Sequence, residues 1–591
     1  MDRQLYEQLK QQYTDLKSKE DHKLKLISSG RLVAALFLLA LGSLAVYYSE
    51  LSFLYGALAA LAVFILLVKI SGSLKKKIKL FQNLIQINQN ELNVINGEAN
   101  QYHAGEQYID STHPFTYDLD IFGTRSLFHA INRTGTTIGR DRLANLFTTA
   151  KQANISESQA AIKELAQKVN WRQLFFANAL LVDDKDIPLG NLKEWAASPN
   201  KFKHNFRFVF IALSAVCLAA LAAIFFVSSS LPTVIFVAAL IVNTLIVKAN
   251  LKYIEQEHEI VSEANQVLSM YAQLLELIEK EEFSSYYLNS QKEKLKTTIN
   301  YASSSINRLA KLLHQLDSMH NGLGSLILNG FFLYHMHTLL SLEKWKKESG
   351  KCIKDWFEVI SELEALNSIA NYSFNNPDFT LPELIAEEAL EIENLGHPLI
   401  PAGKRICNNL NLKENKFIIL TGSNMAGKST FLRTVGINLI LARIGAPVCA
   451  AKFRFYPFDV FATMRINDSL QDNESFFYAE LKRLQQIMQH LQKGNKTFVL
   501  LDEILRGTNS NDKREGTKGL IRKMVEMKTL GVFATHDISI SQMEQEYAGY
   551  LVNKCFEVEI VNDELYFDYK LKNGVCQKMS AAFLMKKMGI I

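Results

Sequence analysis

The residues best suited to chemistry lie in the last third of the chain. KFIILTGSNMAGKSTFL (416–432) passes from an apolar run through a glycine-flanked loop into a helical pattern. Gly422, Gly427, Lys428 and Ser429 have the GxxxxGK[ST] spacing of a phosphate loop. Glycines there let the backbone approach phosphate oxygens, and the loop amides and following helix N-terminus supply positive potential. The loop residues Gly422, Ser423, Asn424, Met425, Ala426, Gly427, Lys428, Ser429 and Thr430 are therefore the expected nucleotide cradle. Lys428 is expected to reach the β- and γ-phosphates and Ser429 to ligate Mg²⁺, so the expected cofactors are ATP and Mg²⁺.

Two further apolar runs end in reactive side chains. TFVLLDE (497–503) carries acids only at its C-terminal edge. Asp502 is expected in the Mg²⁺ shell, and Glu503 is expected to polarise an attacking water. LGVFATHD (530–537) ends in His536, placed to sense a γ-phosphate. Three strand ends converging on one nucleotide predict a doubly wound α/β domain with catalytic Glu503 and His536.

The elements ahead of this region are of another kind. The chain has 591 residues, 48% hydrophobic and 21% charged, which excludes a wholly disordered chain. A net charge of +5 is too weak to imply a nucleic-acid partner by itself. Residues 32–49 and 51–68 are uncharged, separated by Glu50, and 208–247 form a second uncharged block broken by SSSLP at 228–232. These read as two transmembrane helical hairpins. Small residues at helical spacing (Gly56 with Ala60; Ala215, Ala219 and Ala223) suit either close helix packing or a lipid-facing surface. Basic residues flank both hairpins, among them Lys75, Lys76, Lys77, Lys203 and Arg207. The positive-inside rule then puts both ends of each hairpin in the cytosol, as in a multi-pass inner-membrane protein with most of the chain cytoplasmic.

The remaining stretches before about residue 390 are helical in rhythm. Residues 1–27 and 78–98 read as polar surface helices, and 249–281 reads as one long amphipathic helix. More helical pattern runs through 291–345 and 351–371. The six cysteines show no metal-ligand spacing and read as reduced thiols, with Cys217 expected in lipid.

With those motifs in view, the chain resembles the MutS family of ATPases. The residues carrying the likeness are TGSNMAGKST (421–430), LLDEILRGTNS (500–510) and FATHD (533–537), with LGHPLI (395–400) and CNNL (407–410). DLDIFGTRSLFHAINRTGTTIGRDRLANLF (118–147) resembles the start of the family's core helical domain. The resemblance implies a homodimer with composite ATP sites, each completed by a partner segment resembling NDSLQDNESFFYAELKRL (467–484). Ser475 then matches a trans-acting serine, although an ordinary helix N-cap reads equally from the residue itself. Glu480 matches the acid after it, Asn424 a loop asparagine contacting nucleotide, and Asp512 an acid near the dimer seam. There are departures. No mismatch-recognition domain or Phe-x-Glu wedge is found, Leu505 stands where glycine is usual, and KMSA (578–581) replaces the family's KSYG string.

The resulting division is a cytosolic helix (1–30), a membrane hairpin (31–70), a core-like helical region (71–206), a second hairpin (207–248), a lever-like helical region (249–385) and the ATPase domain (386–591). The expected fold is thus multidomain: helical hairpins and a helical core, followed by an α/β phosphate-loop domain. The expected function is a membrane-anchored MutS-like ATP hydrolase, dimeric, that couples ATP turnover to movement of helical arms, with the lipid bilayer as partner and DNA as a candidate one. The alternatives are an ABC-type transport ATPase and a nucleotide-held membrane scaffold. QKEKLK (291–296), Arg308 and Lys311 are the candidate DNA-phosphate contacts.

Overall fold

Long apolar runs next to charged helical sequence produce helices that continue well past any bilayer. The computed structural model describes residues 2–590 apart from 99, 151–153, 183, 185–188, 203–205, 263–264, 298–299, 318–321, 424–425, 466–475, 562–563, 578–584 and 586–589. Helices α1 (Arg3–Tyr48) and α2 (Leu51–Ile95) form a hairpin turned at Ser49 and Glu50. With 46 residues, α1 is roughly 70 Å long. It passes unbroken through residue 30, where a separate surface helix was expected to end. Its polar half is helical for local reasons. Asp2 caps it by accepting from the Leu5 amide, and Arg3–Glu7 and Lys17–Asp21 pair at i,i+4. Lys77–Glu20 and an Arg31–Ser71 hydrogen bond tie that half to α2.

Next come α3 (Leu127–Ile131), α4 (Thr137–Thr149), α5 (Ile155–Gln167), α6 (Val169–Ala179) and α7 (Leu189–Ala197). The second hairpin is α8 (Phe206–Ile224) with α9 (Leu231–Ser262). Of the amphipathic helix expected over 249–281, the described residues form the polar end of α9 and α10 (Asn265–Lys280). Then follow α11 (Tyr286–Glu293), α12 (Ala302–Asp317), α13 (Gly322–Phe332), α14 (Tyr334–Ser349) and α15 (Ile353–Asn375). Among the described residues, α1, α2, α8 and α9 are the helices long and apolar enough to cross a membrane, by length and composition. Their apolar side chains, such as Leu39, Val46, Leu58, Phe208 and Val234, point outward.

Two details of the apolar runs sort out by packing. Gly56 lies against Leu41 of α1, where an added Cβ would sit 3.2 Å from its Cδ1, so this glycine serves close packing. Ala215 and Ala219 are exposed, whereas the covered face of α8 is Phe210, Cys217 and Ala220. Cys217, expected in lipid, is completely buried against Gly330 of α13.

Each hairpin is bonded to the helical body at its polar base. Glu91 of α2 pairs with Arg133 at 2.6 Å and accepts from Asn371 and Asn375 of α15, while the Tyr6 hydroxyl of α1 donates to Asn375 at 2.6 Å. At the second base, Glu257 of α9 accepts from the Trp195 indole, and Tyr253 donates to Glu343 of α14.

After α15 the chain builds two sheets. The smaller has strands β1 (Glu383–Leu384), β2 (Leu390–Leu395), β3 (Asn408–Asn411) and β5 (Lys452–Phe455) in the order β1-β5-β2-β3. The larger has β4 (Phe417–Gly422), β6 (Asp459–Thr463), β7 (Thr497–Asp502), β8 (Leu530–Thr535), β9 (Leu551–Val561) and β10 (Glu564–Asn573) in the order β10-β9-β4-β8-β7-β6. All its neighbours are parallel except the β9–β10 pair. The helices between are α16 (Lys428–Arg443), α17 (Phe476–Gln492), α18 (Ser510–Glu526) and α19 (Met543–Glu546).

Strands β4, β7 and β8 are buried on both faces, which explains their unbroken apolar sequence. Ile418, Leu420, Phe498, Leu500 and Val532 face a core shared with α16 and the helical body. Phe417, Ile419, Val499, Leu501 and Phe533 face a second core that contains Leu484, Ile487 and Ile521 of α17 and α18. The chain is therefore mostly helical, with a C-terminal mixed α/β sheet region whose strand ends open toward one edge.

Candidate functional site

Lys428 begins α16 directly after β4, behind Gly427 at φ +95. That left-handed turn suits glycine, and an added Cβ would also press on Tyr569, 2.9 Å from its ring. The Lys428 ammonium donates to the carbonyls of Gly422 (2.9 Å) and Ser423 (3.0 Å). Burial lowers the Lys428 pKa, partly offset by Glu503 and Asp502.

The ends of β4, β7 and β8 bring the other predicted side chains to the same place. Ser429 Oγ donates to Asp502 Oδ2 at 2.5 Å. Glu503 contacts His536, whose Nε2 lies 3.3 Å from Lys428 Nζ. Burial opposes ionisation of Glu503, but His536, Arg506 and Lys428 overcome it and hold its pKa below the usual carboxylate value. A cavity of about 450 Å³ opens here, lined in part by Ser423, Gly427, Lys428, Ser429, Thr430 and Glu503. Gly422 ends β4 beneath the loop, and Ala426 is buried in it. Asn424, Met425 and Ser475 lie outside the described residues.

Other residues of the cavity were not anticipated as site residues. Its lining also includes Ile400, Ile406, Phe556 and Tyr569, with His397, Lys404 and Asn408. Burial, with Arg433 and Arg405 nearby, lowers the His397 pKa to about 4, so its ring is neutral near neutrality. His397 belongs to LGHPLI, which pointed to it only through resemblance. Asn408 fixes the Tyr569 segment by donating to the Tyr569 carbonyl (3.0 Å) and accepting from the Leu571 amide (2.8 Å).

Glu480 has a role within its own chain. It is 1% exposed on α17, and its carboxylate accepts from the amides of Leu505 (2.6 Å) and Arg506 (3.1 Å). Burial raises its pKa, with those two amides opposing. Glu503 and Leu505 both have left-handed backbone, at φ +48 and +59. The carboxylate thus clamps a turn that aims Glu503 at the cavity. Leu505, which replaces the expected glycine, occupies a conformation that favours glycine. Asp512 is held by its own helix cap, accepting from Asn509 Nδ2 at 2.6 Å.

The 118–121 segment braces the sheet edge from the helical body. Asp118 accepts from the amides of Met464 and Arg465 (both 2.7 Å) and from Arg483, and Arg465 pairs with Asp120.

The geometry fits a polyphosphate with a divalent cation. The Ser423 hydroxyl is buried on the cavity wall with no partner among the described residues, and the Ser429–Asp502 pair offers hard oxygen ligands. Among the described residues no cluster of three or more His, Cys, Asp or Glu could hold a metal alone. A cation here would need ligand oxygens as well, as Mg²⁺ does with phosphates.

Comparison with known proteins agrees with this part of the chain. Residues 418–589 match the family model described as MutS domain V. The DNA mismatch repair protein MutS of Thermotoga maritima is 30% identical over 248 residues, covering 41% of this chain and 31% of that protein. The MutS protein of Clostridium perfringens is 31% identical over 248 residues, covering 40% and 27%, and that of Clostridium botulinum is 31% identical over 242 residues, covering 39% and 26%. The chain spans under a third of the length of these relatives. The C-terminal region of the chain is thus similar to domain V of the MutS family.

Proposed function

We propose that the protein is a membrane-anchored, MutS-like ATP hydrolase that works as a homodimer. The observation carrying this reading is the meeting of Lys428, Ser429, Asp502, Glu503 and His536 around one cavity, from three strand ends. Magnesium, held by Ser429 and Asp502, would supply charge neutralisation to the bound triphosphate. The chain's own groups do the rest. Lys428 exchanges its carbonyl partners for phosphate oxygens, and the loop amides wrap the anion. Glu503, kept ionised beside His536, orients the attacking water and takes its proton. His536, between Glu503 and Lys428, reports the state of the γ-phosphate to both. The base lies toward Ile400, Ile406 and Tyr569.

Anchoring in the inner membrane is supported by the four long apolar helices and their basic flanks, with most of the chain on the cytosolic side. Coupling is supported by the bonds from the hairpin bases to α15 and α14, because α15 leads straight into the sheets. The homodimer is supported by kinship and by Tyr478 and Leu481, large apolar side chains that α17 leaves exposed.

A mismatch-repair-related role rests on the relatives' names, and the matched region is the C-terminal one. The basic residues suggested for DNA are largely engaged: Lys292 donates to the Glu281 carbonyl, Lys296 pairs with Glu293, and Arg308 with Glu348. Transport is disfavoured because the runs 32–49, 51–68 and 208–247 contain no ionisable acid or base for a polar path.

Turnover of Mg·ATP by the full chain in nanodiscs tests the reading. Wild type should hydrolyse ATP, and Glu503→Gln should bind it and stall. Binding without turnover in wild type would favour the nucleotide-held scaffold, and absence of both would end the proposal.

A further inference from the structure

Helix α13 carries an observation that four membrane spans do not account for. Its described residues, Gly322–Phe332 (GLGSLILNGFF), run roughly 16 Å, half the thickness of a bilayer core. Between Asp317 and Glu343 the sequence has no Asp, Glu, Lys or Arg. A helix of this length and apolarity ordinarily lies in a protein core, yet Leu326 and Ile327 are 58% and 57% exposed.

The neighbours of α13 set its depth. Phe331 packs on Phe236 of α9 with ring centroids 5.7 Å apart, and Gly330 lies under Leu240. The Gly330 carbonyl, freed where α13 breaks into α14, accepts from Asn243 Nδ2 at 2.7 Å and contacts Cys217 Sγ at 3.8 Å. Cys217 is seven residues from the end of α8 and Asn243 twelve residues into α9, so this carbonyl lies roughly 10–18 Å from the exported turn. That is mid-bilayer. The break itself is at Leu333, φ +48, and Asn329 Oδ1 accepts from the His335 amide across it. Broken helices persist at such depth only where freed backbone groups find partners within the protein. Asn243 and Cys217, both fully buried within the uncharged block 208–247, supply them.

Resting on the anchoring reading above, we infer that α13 is a half-inserted membrane element docked on the second hairpin, with Leu326 and Ile327 facing phospholipid acyl chains. An apolar groove of about 420 Å³ between α13 and α9, walled by Leu240, Ile241, Leu245 and Ile327, runs continuous with the lipid-facing surface of α9 and suits an acyl chain. The lever-like region then touches the membrane directly, and α14 carries that contact back to the helical body.

The test is photolabelling of the full chain in nanodiscs containing phosphatidylcholine with a diazirine at mid acyl chain, read peptide by peptide by mass spectrometry. Adducts on 322–332 within about threefold of those on 208–224 and 231–247 are expected, centred on Leu326 and Ile327. Asn243→Leu should lower the 322–332 signal severalfold while that on α8 stays. Labelled spans with an unlabelled α13 would overturn this inference and leave anchoring intact, whether water or protein covers the helix. Unlabelled spans would overturn both.

Discussion

Replacing Glu480 should stop hydrolysis while sparing nucleotide binding. Its carboxylate is the acceptor for the buried Leu505 amide at 2.6 Å and the part-buried Arg506 amide at 3.1 Å. Glu480→Ala leaves both unpaired, at about 1–3 kcal/mol for the buried one and less for the other, which water can reach, so roughly 2–4 kcal/mol falls on the turn. Left-handed backbone at Glu503 and Leu505 costs about 1–2 kcal/mol per residue and persists only while the clamp holds. The turn should relax and carry Glu503 away from His536. A loss of about 3 kcal/mol in positioning corresponds to roughly a hundredfold fall in kcat. Glu480→Gln keeps one acceptor oxygen and should fall between. Lys428, Ser429 and Asp502 are untouched, so Kd for a fluorescent ATP analogue should stay within about threefold. The assay is steady-state phosphate release alongside equilibrium binding. If Glu480→Ala keeps wild-type kcat, or loses binding and turnover equally, the clamp reasoning is wrong.

Other substitutions probe the frame around the site. Glu364 on α15 is enclosed, and burial raises its pKa from 4.5 to about 7 against donors from Gly135 and Thr136. A raised folded pKa means its contribution is fully present below about pH 4.5 and lost as pH rises through 7, at most about 3 kcal/mol. Wild type should therefore lose thermal stability relative to Glu364→Gln over that window, and parallel curves would refute the assignment. Glu91→Ala strands the buried Arg133 and should cost about 3–5 kcal/mol, against about 1 for Tyr6→Phe, in denaturant unfolding of the full chain. Equal effects would contradict the network. At Leu505 the usual order should reverse. Leu505→Gly should be at least as stable as Leu505→Ala, because φ +59 strains alanine, and thermal unfolding with alanine ahead would deny the turn its conformation.

The C-terminal sheet region was legible because its signals are local. Strands buried on both faces read as apolar runs, and the groups at their ends follow at once in sequence, as Asp502 and His536 do. Residues whose roles depend on distant partners were not. The Glu91–Arg133–Asn375 cluster joins positions up to 284 residues apart, and no spacing reveals it. Glu480 stood out only by its position in the signature-like segment, and its bonds to the left-handed turn at 503–505 depend on packing that no spacing reveals. Helix α13 escaped because its apolar run is too short to pass as a span and sits among helical patterns of ordinary amphipathic kind. The continuity of α1 was missed because lysines and acids mark a change of environment there, not a change of backbone.

The account stands on Lys428, Ser429 and Asp502 gripping a triphosphate and its magnesium. Equilibrium binding of a non-hydrolysable ATP analogue to the full chain in nanodiscs, with and without Mg²⁺, measures that directly. One site per chain is predicted, with affinity falling at least about a hundredfold in Lys428→Ala and Mg²⁺ dependence abolished in Asp502→Ala. No binding to wild type, or binding equally tight in Lys428→Ala, would contradict the account.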